Sequence, residues 1–517
     1  MPRPIRELLP DLLLAMAVVV VLGPSLGGDF LNYDDDWLLR DNPWLQRPLP
    51  ALLRAAWTDF SPATRLTLGA EYLPVRDTFV GLEARLFGVR AVPLRVVGAA
   101  LYALAAVLTR RLLRRALGPG LAAEVAAWLF ALHPLHVESA AWLAGQKDLL
   151  SLVFSLLSVL AYGDRRRGLT VLCVALAVWS KGTAVALPAL LLLEDLRRRR
   201  PPDRGTLLAT LAVVLLALGT STAVGRQVGM VQPPLGGSRA AALFSVAPVF
   251  WRYLAHALVP SGLSVVYRVP VRSATDPVAL GSLLALLALG GGALLALRRG
   301  HRAPALLLGL FAAPLVPVSQ VLVPLQNVMA DRYLCVAVAA PCALLGLLCG
   351  HLEARRALAG RLLGAALCLA FGALSAQRAR VFSDSVRLWE DALETTPGSA
   401  LALLQLGHAR RSAGDLRGAE AAWTALWRQP EDPAARCNGA GNLSRILAAD
   451  GRDLEAIGLL RGAVALCPWD PKALNNLAEL LARRGVEPEA RARFDELVRR
   501  FPAYAPGRRN RARRYGP

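Results

Sequence analysis

The segment GLTVLCVALAVWSKGTAVALPALLLLEDLRRRR, residues 168–200, indicates most clearly the class of fold to which this chain belongs. Two apolar stretches fill most of it, and the pair Lys181-Gly182 separates them. Arginines close both ends, at residues 165–167 and 197–200. Short arginine clusters beside apolar helices are typical of the cytoplasmic loops of membrane proteins. The pattern therefore predicts helices that cross a lipid bilayer.

The same alternation of apolar stretches and basic clusters continues to about Gln377. A helix that crosses a bilayer needs ~20 apolar residues at a rise of 1.5 Å per residue. About eleven stretches approach that length, and we expect each of them to span the membrane. They are residues 8–26, 93–110, 120–137, 148–163, 168–182, 183–196, 205–224, 276–297, 302–323, 332–350 and 360–378.

The basic clusters give these spans one consistent orientation. If the N-terminus is cytoplasmic, every main arginine cluster falls on the cytoplasmic side and the C-terminal part falls outside. The clusters are residues 110–115, 165–167, 197–200, 298–302 and 355–361. Residues 244–267 are apolar enough to span, yet both flanks must then be external. A re-entrant or interfacial pair of half-helices, interrupted at Pro260 and Gly262, satisfies this requirement.

Composition agrees with a chain that has a membrane part and a soluble part. Of the 517 residues, 55% are hydrophobic and 19% are charged. The formal net charge of +21 is largely accounted for by arginines beside apolar stretches, so we expect no nucleic-acid partner. The apolar run from Leu12 to Leu22 predicts an uncleaved first helix, because no small-residue cleavage motif follows it.

A different period begins at Ser385. Three segments share a small residue, a glycine seven positions later and an alanine five positions after that. The segments are Gly407/Gly414/Ala419, Ser444/Gly451/Ala456 and Ala478/Gly485/Ala490. A period near 34 residues with a glycine turn and a packing alanine is typical of tetratricopeptide repeats. An ordinary helical bundle with accidental spacing is the alternative.

These observations predict an all-α chain with two folded parts. The first is a polytopic membrane helix bundle of residues 1–382, with a long external loop at residues 29–92. The second is a tetratricopeptide α-solenoid of about three repeats at residues 383–505, enough for stacked units to bury their apolar faces. Residues 506–517 are predicted to form a basic tail.

The long external loop carries three adjacent acids just after the first span, namely Asp34, Asp35 and Asp36. Three carboxylates at a membrane surface repel one another, which raises the pKa of at least one unless a cation lies opposite. A carboxylate of this kind suits a general base that acts on an acceptor hydroxyl. A solvated acidic turn is the alternative.

A second external cluster contains His133, His136 and Glu138, followed by Lys147. Two histidines three positions apart suggest a metal site, but Pro134 disturbs that geometry and no third ligand stands at a standard spacing. We therefore assign no metal, although a divalent ion is not excluded. The cluster is expected to position a phosphate or sugar, or simply to lie at a helix end.

A third feature, Ala330-Asp331-Arg332-Tyr333, begins a late apolar stretch. A cation at that depth is costly, so Arg332 needs an anionic partner. Asp331, an acid of the long loop and a lipid phosphate are the candidates. An arginine fork suits phosphate well.

The order of these motifs resembles a known family. The sequences YDDDWLLRDNPWL, EYLPVRDTF, LFALHPLHVESAAWLAGQKDLL, PVSQ and ADRYL, followed by the repeats, are similar to the transmembrane-and-tetratricopeptide-repeat O-mannosyltransferases and their bacterial relatives. Those proteins are GT-C-type glycosyltransferases. They use polyprenyl-phosphate sugars and usually invert the anomeric centre, and the protein-mannosylating branch does not generally require a metal.

The resemblance implies roles for particular residues. The family's paired acids fall on Asp34 and Asp35, which become the candidate catalytic residues, and Asp36 leaves the register open. Its acid–arginine pair falls on Asp331 and Arg332. The residues that would bind the donor or its phosphate are Arg332, Lys147, Arg76, His133, His136 and Glu138.

The expected activity is transfer of a sugar from a polyprenyl-phosphate donor to an acceptor hydroxyl on a polypeptide or a glycan. The active site would lie on the periplasmic side of a bacterial inner membrane, or alternatively in the lumen of the endoplasmic reticulum. The repeat groove would hold an extended acceptor polypeptide. A non-enzymatic membrane scaffold and an O-antigen-ligase-like enzyme are the alternatives.

Two of the seven cysteines stand apart from the apolar stretches. Cys437 lies near the start of the first helix of a predicted repeat, and Cys467 near the end of the second. Those ends are neighbours in an antiparallel helix pair, so the two thiols are candidates for a disulfide. Two unpaired cysteines are the alternative.

Overall fold

A computed structural model describes the chain over residues 5–430 and 432–516. Within these residues the regular structure is entirely helical. The helices divide into two compact units, of which the first ends at Asp384 and the second begins at Ser385. This boundary lies close to the one that the change of sequence period predicts.

The first unit contains the long apolar helices. Its α-helices are α1 (Ile5–Leu26), α2 (Leu49–Thr58), α3 (Pro62–Thr67), α4 (Pro74–Phe87), α5 (Ala91–Leu117), α6 (Leu121–Ala131), α7 (Val137–Ala141), α8 (Gln146–Gly163), α9 (Arg167–Ser180), α10 (Leu187–Arg198), α11 (Arg204–Gln227), α12 (Arg239–Leu258), α13 (Pro277–Arg298), α14 (Ala303–Ala312), α15 (Ala339–Arg355) and α16 (Ala357–Val381). Short 3₁₀ helices connect some of them, at Pro43–Gln46, Pro134–His136, Leu143–Gly145, Gly182–Ala186, Leu235–Gly237, Ala313–Leu315 and Asp331–Leu334.

Seven helical segments of the described residues are long and apolar enough to cross a membrane. They are Leu8–Leu26, Ala91–Leu117, Leu143–Gly163, Arg204–Gln227, Arg239–Leu258, Pro277–Arg298 and Ala357–Val381. Six of these coincide with expected spans. The other five expected spans fold as α-helices of only 10 to 17 residues, namely α6, α9, α10, α14 and α15.

The expectation of two half-helices within residues 244–267 is wrong. Helix α12 is continuous from Arg239 to Leu258 and contains Pro248. Its Trp251 anchors it to α13, because the indole Nε1 donates to the carbonyl oxygen of Ser282 at 3.1 Å. Pro260 and Gly262 follow the end of the helix and therefore do not interrupt it.

The long segment between α1 and α5 folds as a layer of short helices. It contains α2, α3, α4 and a π-helix at Asp36–Arg40. Within it, the guanidinium of Arg65 is completely buried and donates to the carbonyl oxygens of Asp59, Ala55 and Ala56. These bonds satisfy backbone acceptors that helix ends leave without intrahelical partners. The segment is thus an ordered part of the first unit.

Helix α5 makes the contacts that fix the backbone around the acidic cluster. A Cβ atom at Gly98 would lie 3.2 Å from the carbonyl oxygen of Ala140, so glycine lets α5 approach α7 closely. The buried side chain of Arg95 donates to the carbonyl oxygens of Ala141 at 2.5 Å and of Asp29 at 2.6 Å. One arginine therefore joins α5, α7 and the chain that leaves α1.

The second unit consists of shorter amphipathic helices. They are α17 (Ser385–Thr395), α18 (Ala400–Ser412), α19 (Leu416–Trp427), α20 (Pro433–Ala449), α21 (Asp453–Leu466), α22 (Pro471–Arg483), α23 (Glu487–Arg500) and α24 (Ala505–Tyr515). The three glycines of the sequence pattern lie between successive helices with φ angles of 82°, 76° and 74°. Glycine adopts this left-handed conformation without steric cost, which explains its recurrence there.

The small residues of the pattern have packing roles. The three alanines, Ala419, Ala456 and Ala490, are completely buried. A Cβ atom at Gly407 would lie 2.2 Å from Nε1 of Trp423, so this position has no room for a side chain. The same indole donates to the carbonyl oxygen of Leu404 at 3.1 Å, which fixes the ring between α18 and α19.

Two other sequence features of the second unit have a structural counterpart. A disulfide joins Cys437 to Cys467, with a Cα–Cα distance of 6.5 Å, so of the two alternatives left open by the sequence the structure has the bonded one. Of the residues expected to form a basic tail, 506–515 are instead part of α24, and Pro517 lies outside the described residues. Its Tyr515 packs against Phe494 with ring centroids 5.9 Å apart, and Arg511 pairs with Asp495 at 3.1 Å.

Candidate functional site

The three adjacent acids occupy three different environments. Asp36, the third of them, begins the π-helix, and its carboxylate pairs with Arg40 at 3.0 Å on the surface. Half of the Arg40 side chain is exposed, so this is an ordinary solvated ion pair. The geometry thus separates Asp36 from the two acids that precede it.

Asp35 is completely buried and serves as an acceptor for the backbone. Its Oδ2 accepts from the amide of Leu31 at 3.0 Å, and its Oδ1 accepts from the amide of Ala144 at 2.9 Å. Burial raises the pKa of Asp35 to about 7, although the two amides act in the opposite direction. Both oxygens are therefore engaged in holding the acidic segment against the start of α8.

Asp34 is half-buried and keeps more of its carboxylate accessible. Trp37 Nε1 donates to Oδ1 at 3.2 Å. Burial raises the pKa of Asp34, and the positive charges of Lys147 and Arg332 partly counteract that rise. A carboxylate with a raised pKa and two cations in range has the character that a general base requires.

Glu71 brings a second carboxylate to the same place. Lys147 Nζ lies 2.7 Å from Oε2 of Glu71, and the Glu71 side chain remains 39% exposed. Partial burial would raise the pKa of Glu71, but Lys147, Lys181 and Arg76 together lower it below its usual value. A turn at Gly69 and Ala70, both with positive φ, presents this side chain. Such a conformation is strained for alanine and is common at functional sites.

Arg332 finds its partner in Glu138, which is none of the three candidates that the sequence suggested. The Arg332 guanidinium contacts Oε1 of Glu138, and the Arg332 backbone amide donates to Oε2 at 3.0 Å. The two side chains are 7% and 2% exposed. The guanidinium carbon also lies 5.4 Å from the ring of Trp142. Asp331 is engaged elsewhere, because Tyr267 donates to it at 2.6 Å.

Arg76 is not available as a phosphate ligand in the structure. Its guanidinium is buried and contacts Asp77 at 2.7 Å and Glu71 at 3.3 Å. It also donates to the carbonyl oxygen of Leu68. These bonds hold the turn before α4 in place, so Arg76 acts here by positioning Glu71.

The two predicted histidines, His133 and His136, are both buried. Both ring nitrogens of His133 are used: Nδ1 accepts from the amide of Leu135 at 3.3 Å, and Nε2 lies 3.0 Å from the carbonyl oxygen of Ala257. His136 is completely buried between Tyr102 and Phe130, with ring centroids 4.9 Å and 4.4 Å away. The fold therefore satisfies both nitrogens of His133, whereas both ring nitrogens of His136 are buried without a hydrogen-bond partner among the described residues.

Beside Arg332 lies an open cleft, with about 440 Å³ of space when the adjoining open solvent is included. Its lining includes Asp148, Ser151, Ser155, Thr183, Arg332 and Tyr333. Asp148 is buried, and its Oδ1 lies 3.6 Å from Nζ of Lys181. Among the described residues, no group donates a hydrogen bond to its Oδ2. The cleft thus combines cations with an unsatisfied carboxylate oxygen.

The site therefore contains some of the predicted residues and several others. Lys147 and Arg332 both lie within electrostatic range of Asp34. The sequence motifs predicted no role for Glu71, Asp148 or Lys181, although Lys181 marks a break between two apolar stretches. A charged residue between apolar stretches was the available signal, because it requires a buried partner.

Within the described part of the chain, no three histidine, cysteine, aspartate or glutamate side chains are grouped so that they could hold a metal ion. The comparisons with known proteins add no assignment. No family model matches this chain, and no curated protein is significantly similar to it. Support for a function therefore comes from the arrangement of Asp34, the cleft and the three cations Lys147, Lys181 and Arg332.

Proposed function

We propose that the protein is a membrane glycosyltransferase that moves a sugar from a polyprenyl-phosphate donor to an acceptor hydroxyl. One observation carries this proposal. Asp34 is a half-buried carboxylate within range of Lys147 and Arg332, and Arg332 lines an open cleft. A base, a cation for a leaving phosphate and a cavity are the three parts that such a transfer requires.

In the proposed reaction Asp34 removes the proton from the acceptor hydroxyl while that oxygen attacks the anomeric carbon. The bond between this carbon and the phosphate oxygen breaks, and the phosphate leaves with the electron pair. Arg332 and Lys147 stabilise the negative charge that develops on the phosphate. A guanidinium has five N–H donors, so Arg332 can bind Glu138 and a phosphate together. Asp35 acts as a positioning residue.

A lipid-linked donor requires the site to lie at a bilayer surface. We propose a GT-C-type bundle of about eleven spans, in which the shorter apolar helices also cross the membrane. The acids then lie on the external face, which is the periplasmic side of a bacterial inner membrane or the lumen of the endoplasmic reticulum. The arginine clusters favour this orientation. In this orientation, helix α12 enters the membrane or lies along its surface without crossing the bilayer.

The second unit is proposed to be a tetratricopeptide solenoid that holds an acceptor polypeptide. Side-chain amides recur at one position of its inner helices, two residues before the small residue of each repeat. The residues are Gln405, Asn442 and Asn476, and all are half-buried. An amide offers both donors and an acceptor, which match the groups of an extended peptide backbone. Such contacts would accept many peptide sequences.

The test is turnover of radiolabelled polyprenyl-phosphate hexoses by the purified protein in lipid nanodiscs. We expect wild-type protein to release or transfer the sugar, and Asp34→Asn to lower the rate by about 10²- to 10⁴-fold. Asp36→Asn is the matched control, because that neighbouring acid pairs with Arg40 on the surface and should leave the rate unchanged. Equal rates for Asp34→Asn and wild type would exclude the proposed base. A wild-type protein inert toward all donors would favour the non-enzymatic scaffold.

A further inference from the structure

We infer that the cleft beside Arg332 binds the sugar of the donor, and that Asp148 recognises the sugar's hydroxyl groups. This inference rests on the proposed glycosyltransferase function and adds a binding site that the resemblance did not supply. The residues that carry it are Asp148, Lys181, Ser151 and Ser155. Three of these four line the cleft directly, and Lys181 reaches it through its ion pair with Asp148.

The first argument is the unsatisfied oxygen of Asp148. The side chain is only 4% exposed, and its single close cation is Lys181 among the described residues, at 3.6 Å from Oδ1. Its Oδ2 is buried and receives no hydrogen bond within that part of the chain. A buried carboxylate oxygen without a donor has lost its hydration without a compensating hydrogen bond, which is unfavourable. A ligand that brings hydroxyl donors into the cleft would remove this cost.

The second argument is that the serines of the cleft present acceptors. Ser151 Oγ donates its proton to the carbonyl oxygen of Ala177 at 3.1 Å. Ser155 Oγ donates its proton to the carbonyl oxygen of Ser151 at 2.7 Å. Since a hydroxyl has one proton, both oxygens retain only acceptor lone pairs for a ligand. Together with Asp148, this wall of the cleft requires a ligand that is rich in donors.

These requirements select among ligand classes. A phosphate carries only acceptors and negative charge at neutral pH, so it fits the Arg332 end of the cleft and not the Asp148 wall. An ammonium would supply donors, but Lys181 and Arg332 would repel it. A neutral ligand with several hydroxyls satisfies the carboxylate and both serines without that repulsion. A hexose joined to a phosphate therefore matches the two ends of the cleft.

The position of the cleft also suits the proposed chemistry. Arg332 lines it and interacts electrostatically with both Asp34 and Asp148. A hexose held by Asp148 would thus place its phosphate at Arg332, the cation that also acts on Asp34.

The experiment compares two ligands on the protein in nanodiscs: a polyprenyl-phosphate hexose and the same polyprenyl phosphate without sugar. We expect wild-type protein to bind the hexose form more tightly. Asp148→Asn should weaken binding of the hexose form by about 10- to 100-fold, because a hydrogen bond to a charged group is lost. It should leave binding of the sugar-free lipid unchanged. Asp164→Asn is the control, since this exposed acid follows the far end of the same helix.

The outcomes separate the two ideas. Equal affinity of wild-type protein for both lipids would overturn the sugar site, whatever Asp148→Asn does to folding, and would leave the proposed function standing. A similar loss for both lipids in Asp148→Asn, or no loss for either, would also overturn it. If wild-type protein binds neither lipid, the proposed function itself is wrong and the inference is wrong with it.

Discussion

Replacing Glu138 by glutamine tests the ion pair around which the site is built. Glu138 accepts from the guanidinium of Arg332 and, at 3.0 Å, from the backbone amide of the same residue. Both side chains are more than nine-tenths buried. Glutamine preserves the shape but offers one acceptor oxygen and leaves the buried guanidinium without a counter-charge. Breaking a buried pair in this way costs about 3–5 kcal/mol.

We expect Glu138→Gln to lower the free energy of unfolding of the first unit by that amount. Reversible unfolding in mixed micelles, with an increasing fraction of SDS, measures the loss through far-UV circular dichroism. The matched control is Glu353→Gln, which breaks the Arg361–Glu353 pair at 2.9 Å. The Arg361 side chain is 68% exposed, so the control should lose less than about 1 kcal/mol.

A double variant decides whether the cost arises from the unpaired charge. Glu138→Gln combined with Arg332→Gln removes both charges, so we expect it to be more stable than Glu138→Gln alone. If the loss of stability in the double variant equals the sum of the losses in Glu138→Gln and Arg332→Gln measured separately, Glu138 and Arg332 are not coupled and the pair does not organise the site. A loss for Glu138→Gln as small as that of the control would refute the reasoning as well.

Two further predictions follow from single contacts. The folded-state pKa of Asp35 is about 7, above the ordinary 3.8, so its contribution to stability is present at low pH and is lost as pH rises through about 7. Asp35→Asn should remove this dependence. In the same unfolding assay, the free energy of unfolding of the variant relative to that of wild type should therefore rise by about 4 kcal/mol from pH 4 to pH 7.5. The disulfide closes a loop with a sequence separation of 30, so Cys437→Ala should destabilise the second unit by about 3–4 kcal/mol. Pulse proteolysis in urea measures that loss, and dithiothreitol should reproduce it in wild-type protein but leave the variant unaffected.

The helices of the second unit were predictable because local rules position them. A glycine that must adopt a positive φ recurs at Gly414, Gly451 and Gly485, and the buried alanines follow at a fixed distance. The disulfide was predictable for the same reason, since both cysteines belong to one helix pair. These features depend on neighbours within about one repeat, and the sequence pattern records that distance directly.

The apolar stretches of the first unit were less informative. Hydropathy detects an apolar segment but not the residue at which its helix ends. Residues 167–198 contain two α-helices of 14 and 12 residues joined by a 3₁₀ turn, where the sequence suggested two short spans at residues 168–182 and 183–196. Conversely, α12 runs unbroken to Leu258, because Pro260 and Gly262, the residues expected to interrupt it, lie beyond its end.

The candidate site shows where such reasoning ends. The acids and the cation could be found as local motifs, but Arg332 meets Glu138 from 194 positions away, and no local rule links them. Asp148 and Lys181 are also separated in sequence by a complete apolar helix. Each had a signal, because an ionisable residue beside apolar stretches requires a partner. Since Lys147, Lys181 and Arg332 each face a carboxylate, the unmatched carboxylate oxygen of Asp148 is the feature of this cleft that most clearly points to a ligand.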